Sequence, residues 1–247
     1  IVFGGGYDMR YEDPQFVPTE NTKAQGSSIY ITDAKTGDKL WSWDNPQHHS
    51  IVAGVTPLDR NNDGLFDHLY FADLGGNVFR ADFINEKDKA FEAVRVVRVL
   101  NASKDVSALP YRFYSRPVVS FYRDKQSNIF ALVNIASGDR SSPLAKHRGT
   151  KDIANRLYGI IDTDITRADL MESSATSSLK INELTESKDL LELGGKDFTD
   201  EAAKIKKIED LVNKKKQGWY YPLTRFAGFE NVSHVKAMGD YRVMNNY

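Results

Sequence analysis

The chain has 247 residues, of which 40% are hydrophobic and 27% are charged, with a formal net charge of −1 at pH 7. Its length accommodates one large β domain or two small ones, and near-neutrality gives no electrostatic case for binding nucleic acid. The absence of cysteine excludes disulfides, zinc–thiolate sites and thiol catalysis, and no apolar run reaches the roughly 18 residues that a membrane-spanning helix needs.

Most of the predicted elements are short strands. Apolar, β-prone runs bounded by turn residues predict them, in chain order, at residues 1–3, 28–33, 38–44, 50–57, 69–72, 77–82, 91–100, 115–124, 129–136, 156–162, 219–223 and 241–244. Gly4–Gly6 is predicted to be a turn, because the Gly-Lys-Ser/Thr sequence of a phosphate-binding loop does not follow it. Since strands lie at both ends, we expect the chain to be a piece of a longer protein.

The loop before the fifth predicted strand has the ligand spacing of a calcium site. Oxygen-bearing side chains fall at loop positions 1, 3, 5 and 9, and Gly64 at position 6 permits the sharp turn. In an EF-hand loop such side chains converge with the carbonyl of position 7 on one hard cation. The predicted Ca²⁺ ligands are Asp59, Asn61, Asp63, the carbonyl of Leu65, and Asp67.

This loop departs from an EF-hand at position 12, where Tyr70 stands in place of the bidentate glutamate and a strand follows instead of a helix. Three carboxylates without that glutamate predict an affinity of roughly micromolar to millimolar, which suits calcium-rich surroundings outside the cell. Magnesium fits less well, because it prefers a small octahedral shell rich in water. An ordinary Asn/Asp/Gly turn without a metal is the alternative.

A repeat of short strands runs through much of the chain. Tyr30 and Tyr70 are 40 residues apart, as are Asp33 and Asp73, and a glycine turn and an aromatic strand follow each aspartate. Residues 129–162 similarly echo residues 1–33. Strand repeats of about 40–45 residues are typical of β-propeller blades. We therefore predict a mainly β chain, with residues 1–247 forming a single modified β-propeller.

Residues 163–218 interrupt this pattern and are predicted to form a helical and flexible insertion. Residues 199–217 predict a helix with acidic residues in its first turn and Lys214–Lys216 in its last, which complements the helix dipole. Its apolar stripe consists of Ile205, Ile208, Leu211 and Val212. The basic end is interpreted as a solvated helix terminus, with a partner or lipid patch as the alternative.

Other candidate sites are weaker. The sequence has no Gly-x-Ser-x-Gly and no His-Glu-x-x-His motif. His48 and His49 are adjacent but have no third ligand in the pattern, so they are interpreted as loop residues. His68 is expected to pack or to face solvent, and Asp139–Arg140 to be a local ion pair or a turn anchor.

Three stretches together resemble one family. They are residues 55–82, which hold the Asp-x-Asn-x-Asp-Gly-x-x-Asp loop and the sequence Asp73-Leu-Gly-Gly-Asn-Val-Phe-Arg80; Ser137–Leu144 leading to Arg156–Tyr158; and Gly218–Tyr220. The chain is similar to the C-terminal domain of the PilY-type tip adhesin and biogenesis proteins of bacterial type IV pili. The calcium loop is the specific part of this resemblance.

The resemblance implies a non-enzymatic, calcium-binding propeller whose calcium occupancy regulates pilus extension against retraction, and so twitching motility and surface adhesion. It implies pilins and minor pilins as partners, and contact with host or abiotic surfaces through an N-terminal region outside this chain. It also implies a pilus-associated location at the cell surface, reached through the periplasm and outer membrane.

Two alternatives belong to other classes. Ile29–Trp41 is similar to the tryptophan-docking repeat of quinoprotein propellers, whose relatives hold pyrroloquinoline quinone and calcium in a dehydrogenase site. The sequence contains only one clear copy of that repeat, in about half the expected length. The other alternative is a propeller or sandwich interaction module whose partner the sequence does not identify.

Overall fold

The computed structural model describes residues 1–87, 91–106, 109–124, 126–141, 154–172, 179–181, 183–223, 235–238 and 241–244. The strands are β1 Val2–Gly4, β2 Ser28–Thr32, β3 Lys39–Asp44, β4 Thr56–Leu58, β5 His68–Ala72, β6 Asn77–Ile84, β7 Glu92–Asn101, β8 Val118–Arg123, β9 Ile129–Ala136, β10 Arg156–Asp162, β11 Leu184–Thr185, β12 Leu191–Glu192, β13 Gly218–Pro222, β14 Val235–Met238 and β15 Tyr241–Met244. The α-helices are α1 Glu186–Asp189, α2 Lys196–Thr199 and α3 Glu201–Asn213, and short 3-10 turns occur at Met9–Glu12, Asp164–Thr166 and Ala168–Met171.

The strands form three larger sheets and a ribbon of β14 and β15. The first sheet has the order β1-β2-β3, the second β11-β7-β6-β5-β4, and the third β12-β13-β10-β9-β8. Within the second sheet, β4 to β7 are consecutive antiparallel strands. The prediction of a mainly β chain is therefore confirmed.

The second sheet lies between the other two, which explains why every residue of β5 is buried. Successive side chains of a strand point to opposite faces of its sheet. Leu69 and Phe71 accordingly pack in one cluster with Ile29 of the first sheet. Tyr70 packs in another cluster with Tyr158 of the third sheet. Residues Leu69–Ala72 form a continuous apolar run because both faces of the strand lie inside the protein.

Aromatic side chains of β3 join the first sheet to the second. Trp41 packs edge-on against Phe83, with 5.0 Å between ring centroids, and Trp43 packs in the same way against Phe71 and Phe79.

Three hairpins share a turn anchored by an aspartate directly after a strand. Asp33, Asp73 and Asp124 each accept, through Oδ1, the backbone N–H two residues ahead. Asp73 and Asp124 also accept the N–H of Asn77 and Asn128 at 2.9 and 2.8 Å. The 40-residue spacing of Asp33 and Asp73 thus corresponds to equivalent turns. The third member, Asp124, was not recognised from the sequence.

The predicted strand at residues 50–57 is wrong over most of its length, since β4 begins at Thr56. Ser50 and Ile51 are buried, but their backbone bonds bridge separate loops instead of forming a ladder. Ile51 donates its N–H to the carbonyl of Gly26, and the Ser50 carbonyl accepts the N–H of Leu74. The apolar pattern therefore predicted the burial of Ser50 and Ile51 correctly but wrongly predicted that they pair in a strand.

The segment predicted as an insertion connects two paired strands. β10 and β13 are antiparallel neighbours, and α1 to α3, β11 and β12 all lie between them in the chain. The predicted helix at 199–217 is confirmed as α3 over a shorter range. Asp200 caps it by accepting the N–H groups of Ala202 and Ala203. Of the predicted apolar stripe, Ile205, Ile208 and Val212 face outward and Leu211 is half-buried, and no residue of α3 is fully buried.

Candidate metal site

The predicted calcium loop connects β4 to β5, two antiparallel strands of the second sheet. Leu58 pairs with His68 at the end of the ladder, and the Leu58 carbonyl accepts the N–H of Asp67 at 2.8 Å. The loop is therefore closed at its base by regular strand pairing. Asp59, Asn61 and Asp63 all lie on its exposed part.

Asp59 organises the loop by accepting three backbone hydrogen bonds. Its Oδ1 accepts the N–H of Asn62 at 2.6 Å and of Asp63 at 3.2 Å, and its Oδ2 accepts the N–H of Gly64 at 2.7 Å. Asn62 and Gly64 both have left-handed φ angles, of 63° and 90°. These angles wrap the chain around the carboxylate, and glycine takes such an angle at little cost.

The structure brings Asn61 and Asp63 together beside Asp59. Asn61 Oδ1 accepts the N–H of Asp63 at 3.0 Å, and its Nδ2 donates to Asp63 Oδ2 at 3.1 Å. Asp63 Oδ1 also accepts the N–H of Leu65 at 2.9 Å. The side chains at positions 1, 3 and 5 thus form one polar cluster.

Asp67 differs from the residues of that cluster in being buried, with only 1% of the residue exposed. Its Oδ2 accepts the N–H of Arg60 at 2.7 Å, and its carbonyl accepts the N–H of Phe83 at 2.9 Å. It therefore ties the loop to β6. Leu65 is half-buried.

The donor set fits calcium in its chemistry, because all five donors are oxygen atoms. Across the described ranges, however, no three His, Cys, Asp or Glu side chains are grouped so as to hold a metal ion. The three carboxylates of the predicted set, those of Asp59, Asp63 and Asp67, are therefore not gathered around one point in this structure. Asp59, Asn61 and Asp63 would form the exposed side of the site, and Asp67 its buried side.

Beneath the loop lies a buried polar network that the sequence interpretation missed. His68 Nδ1 is 2.9 Å from Asp82 Oδ1, and Arg80 Nε donates to the same oxygen at 2.8 Å. Arg80 also donates to Asp162 of β10, which accepts the hydroxyl of Tyr70 as well. His68 was expected to pack or to face solvent, and it packs, fully buried. The available signal was two charged residues, Arg80 and Asp82, in the otherwise apolar run from Val78 to Ile84.

In this network, burial and the neighbouring polar groups shift the pKa of Asp82 in opposite directions. Burial alone would raise the pKa of Asp82, but hydrogen bonds from His68 and the charge of Arg80 hold that pKa below its ordinary value. Burial and the neighbouring Asp162 raise the pKa of Tyr70 well above its ordinary value. Tyr70 is therefore a neutral hydrogen-bond donor.

Two buried nitrogens next to the loop have no hydrogen-bond partner among the described residues: Nη1 of Arg60 and Nε2 of His68. Burial lowers the pKa of Arg60, while Asp67 raises it by a smaller amount. Burying a polar group without a hydrogen bond costs free energy. Both of these nitrogens lie at the base of the loop, so hydrogen bonding is less complete there than in the exposed part of the loop.

The remaining candidates have structural roles. His49 is buried, with Nδ1 3.0 Å from the hydroxyl of Tyr11, and His48 contacts Glu20 at 2.9 Å. Asp139 anchors a turn, as predicted, by accepting the N–H of Ser141. Its buried ion pair is with Arg112 at 3.2 Å, which reaches beyond the local pair that was expected.

A comparison with solved structures finds a similar fold in the crystal structure of the C-terminal domain of PilY1 from Pseudomonas aeruginosa. The TM-score is 0.59 at 17% sequence identity. This chain shares the fold of that domain. The match covers 92% of this chain and 50% of the PilY1 chain, so the present chain spans about half the length of that structure. The resemblance predicted from the sequence is thereby confirmed as a likeness of fold.

No protein-family model matches the sequence, and no curated protein matches it. Of the residue motifs that carried the resemblance, 142–144 lie outside the described residues. In the described part of the chain, none of the helices has the length and apolar character required to span a bilayer.

Proposed function

We propose that this chain is a non-enzymatic, calcium-binding domain of a protein associated with type IV pili. The observation that carries the proposal is the likeness of fold to the PilY1 C-terminal domain over 92% of the chain. The calcium-type loop in the second sheet supports it independently. In this proposal residues 1–247 form one domain, and residues 163–218 are an insertion within it.

The domain is a modified β-propeller in this proposal. A propeller blade is a meander of antiparallel strands, and β4 to β7 form such a meander. The strands β8, β9, β10 and β13 pair in the same way, with the insertion between the last two. Each sheet also buries one face against its neighbour in the chain, as blades do.

Calcium is the proposed ligand of Asp59, Asn61, Asp63, the Leu65 carbonyl and Asp67. When bound, a divalent cation supplies positive charge to three carboxylates within nine residues. The chain itself supplies the turn geometry at Asn62 and Gly64 and the rigid base formed by β4 and β5. Asp67 also accepts the backbone N–H groups of Arg60 and Phe83. Calcium bound to Asp67 would therefore be connected to strand β6 of the second sheet through these hydrogen bonds.

The biological role follows from the sequence resemblance together with the fold. Calcium occupancy would regulate pilus extension against retraction, and with it twitching motility and adhesion. Pilins and minor pilins would be the partners at the cell surface, and an N-terminal region outside this chain would contact host or abiotic surfaces.

Calorimetric titration of chelator-treated protein with calcium and with magnesium tests the site. We expect one calcium site of roughly micromolar to millimolar affinity, poorly competed by magnesium. Asp63→Ala should abolish it. Asp124→Ala is the matched control, because Asp124 anchors a comparable turn through the N–H groups of Gln126 and Asn128. Calcium binding that survives Asp63→Ala would overturn the assigned ligands.

The pilus role needs its own test in the cell that produces the protein. With Asp63→Ala in the full-length protein, we expect calcium-dependent changes in surface pili and twitching to disappear while protein abundance is unchanged. Pili that respond to calcium as before, despite loss of binding in vitro, would contradict the regulatory role and leave the metal site standing.

A further inference from the structure

The connection between β1 and β2, residues 5–27, covers one end of β5. Loops longer than about 12–15 residues are uncommon in compact domains, and many of them are functional. Tyr11, in the 3-10 turn of this connection, is fully buried and packs with Ala24 and with Leu74, two residues after β5. We call residues 7–24 the cover segment. The calcium-type loop precedes β5, so the cover segment lies at the opposite end of that strand.

His49 holds the cover segment from the inside. It belongs to the loop between β3 and β4 and is only 8% exposed. Its Nδ1 lies 3.0 Å from the hydroxyl oxygen of Tyr11, which also accepts the N–H of Ser50 at 3.3 Å. On another side the imidazole contacts Gly75, where an added Cβ would lie 2.2 Å from Cδ2 of His49. His49 is thus enclosed between the cover segment and the turn that follows β5.

The hydrogen bonds of Tyr11 select the uncharged form of His49. Among the described residues, Nδ1 of His49 is the one acceptor within reach of the Tyr11 hydroxyl. The hydroxyl therefore donates its proton to Nδ1, and the proton of the neutral imidazole lies on Nε2. Burial raises the pKa of Tyr11, so the hydroxyl keeps the proton that it donates.

The charged groups around His49 add to the effect of burial. Burial is the largest influence and lowers the pKa of His49. Arg112, in the loop before β8, and the adjacent His48 lower this pKa further, whereas Asp73, directly after β5, raises it. The carboxylate of Asp73 already accepts a hydrogen bond from Asn45 at 2.8 Å. The net result is a pKa of His49 below its ordinary value.

We propose that His49 and Tyr11 form a pH-sensitive latch, which holds the cover segment closed at neutral pH and releases it in mildly acidic surroundings. When His49 takes up a proton, Nδ1 changes from an acceptor into a donor, and two donors then face each other. The imidazolium is also buried, and no carboxylate of the described residues is bonded to it. Opening of the cover segment hydrates both groups. It also exposes Leu74 and the aromatic rings that pack around it.

The pH range of the latch follows from the direction of the pKa shift. In the open form His49 titrates near its ordinary value of 6.5, and in the closed form it titrates lower. The closed form therefore keeps its stability above about pH 6.5 and loses it as the pH falls below that value. Opening increases by up to about tenfold per pH unit until His49 is charged in the closed form as well. Asp8, which also holds the segment through the N–H of Gln25, stays charged in this range because its pKa is about 2.

Hydrogen exchange of the whole chain at about pH 7.5 and about pH 5.5, corrected for the intrinsic exchange rate, tests the latch. The N–H groups of Tyr11 and Ala24 are the reporters, because they bond to the carbonyls of Asp8 and His48. Their protection should fall at the acidic pH by up to about tenfold per unit, while the amides of β5 keep theirs. In His49→Asn the protection should not depend on pH, because the amide cannot take up a proton. Equal protection of the native chain at both pH values overturns the proposal.

The adjacent histidine supplies the matched control. His48 contacts Glu20 at 2.9 Å and has a left-handed φ of 61°, which asparagine tolerates. His48→Asn should therefore keep the acid response of the native chain, whereas His49→Asn should lose it. The same acid response in both variants, or its loss only in His48→Asn, would mean that His49 is not the group that takes up the proton, and would overturn the latch.

Proton NMR measures the titration of His49 in the native chain directly. Its C2–H signal is assigned as the one that is missing from His49→Asn, and its midpoint should lie below 6.5. Tyr11→Phe keeps the packing of the ring but removes the donor that stabilises neutral His49, so the midpoint should rise. A native midpoint at or above 6.5, or an unchanged midpoint in Tyr11→Phe, would show that these two residues do not form the latch.

Discussion

Arg80 on β6 binds Asp162 on β10 across the boundary between the second and third sheets, with 2.5 Å between Nη1 and Oδ2. Both side chains are buried, and Arg80 also binds Asp82 of its own strand. Tyr70 donates its hydroxyl to Asp162 at 2.7 Å. A charged network therefore joins the two sheets in addition to apolar packing. Each member compensates the cost of burying the others.

Arg80→Ala should strongly destabilise the fold, because it leaves Asp162 buried without its cation and leaves Asp82 with the longer contact to Arg95 at 3.8 Å. Removing one partner of a buried ion pair costs about 3–5 kcal/mol. Equilibrium unfolding in urea measures the loss. Arg167→Ala is the control, since the pair between Arg167 and Asp169 is exposed and its removal should change the midpoint little. Equal effects of the two substitutions would show that the buried network does not hold the sheets together.

Asp8 predicts a specific response to acid. A hydrogen bond from the side chain of Arg10 is the main reason that the pKa of Asp8 falls from 3.8 to about 2. A carboxyl whose folded pKa lies below its unfolded value stabilises the fold above about pH 3.9. This stability is lost as the pH falls from there towards the folded pKa.

Asp8→Asn should therefore be less stable than the native chain at about pH 6, and the difference should shrink by about pH 3. Urea midpoints of both proteins at the two pH values give the comparison. The other carboxyl groups titrate in both proteins, so they cancel in the difference. A gap of the same size at both pH values would mean that Asp8 acts through packing and not through its charge.

Local sequence patterns predicted the strands and turns well, because their causes are local. The aspartate after β2 and the aspartate after β5 lie 40 residues apart and make the same turn through neighbouring N–H groups. Burial of β5 on both faces likewise produces a continuous apolar run that is visible in the sequence. The helix α3 was predicted from the acidic residues at its start and from the spacing of its apolar residues, which are also local signals.

Long-range pairing could not be predicted in the same way. Asp162 lies 82 residues after Arg80, and no local sequence pattern indicates that these two residues form an ion pair. The loop at 59–67 shows both cases together: its turn is encoded by Asp59 and Gly64, whereas the burial of Asp67 depends on β6. The apolar stripe of α3 was visible, but the sequence could not tell whether it packs inward or faces outward.

Gly159→Ala should destabilise the third sheet. A Cβ at residue 159 would lie 2.3 Å from Cε2 of Trp219 on β13, so the indole or the strand must move. Such overpacking costs about 1–3 kcal/mol. The control is Gly54→Ala, whose Cβ would lie 3.6 Å from the nearest atom of Arg116, an ordinary contact. Thermal unfolding of both variants measures the difference, and a neutral Gly159→Ala would mean that β13 adjusts freely against β10.

Calcium should raise the melting temperature of the native chain, because a ligand that binds only the folded state stabilises it by mass action. At a calcium concentration 100 times the dissociation constant, this amounts to about 2.7 kcal/mol relative to excess chelator. Asp59→Ala should abolish the calcium-dependent shift, whereas Asp124→Ala should retain it. Because Asp59 also accepts the N–H groups of Asn62, Asp63 and Gly64, its loss should loosen the loop while leaving the sheets folded. Global unfolding of Asp59→Ala even with excess calcium would instead make the loop a structural staple of the second sheet and count against a regulatory site.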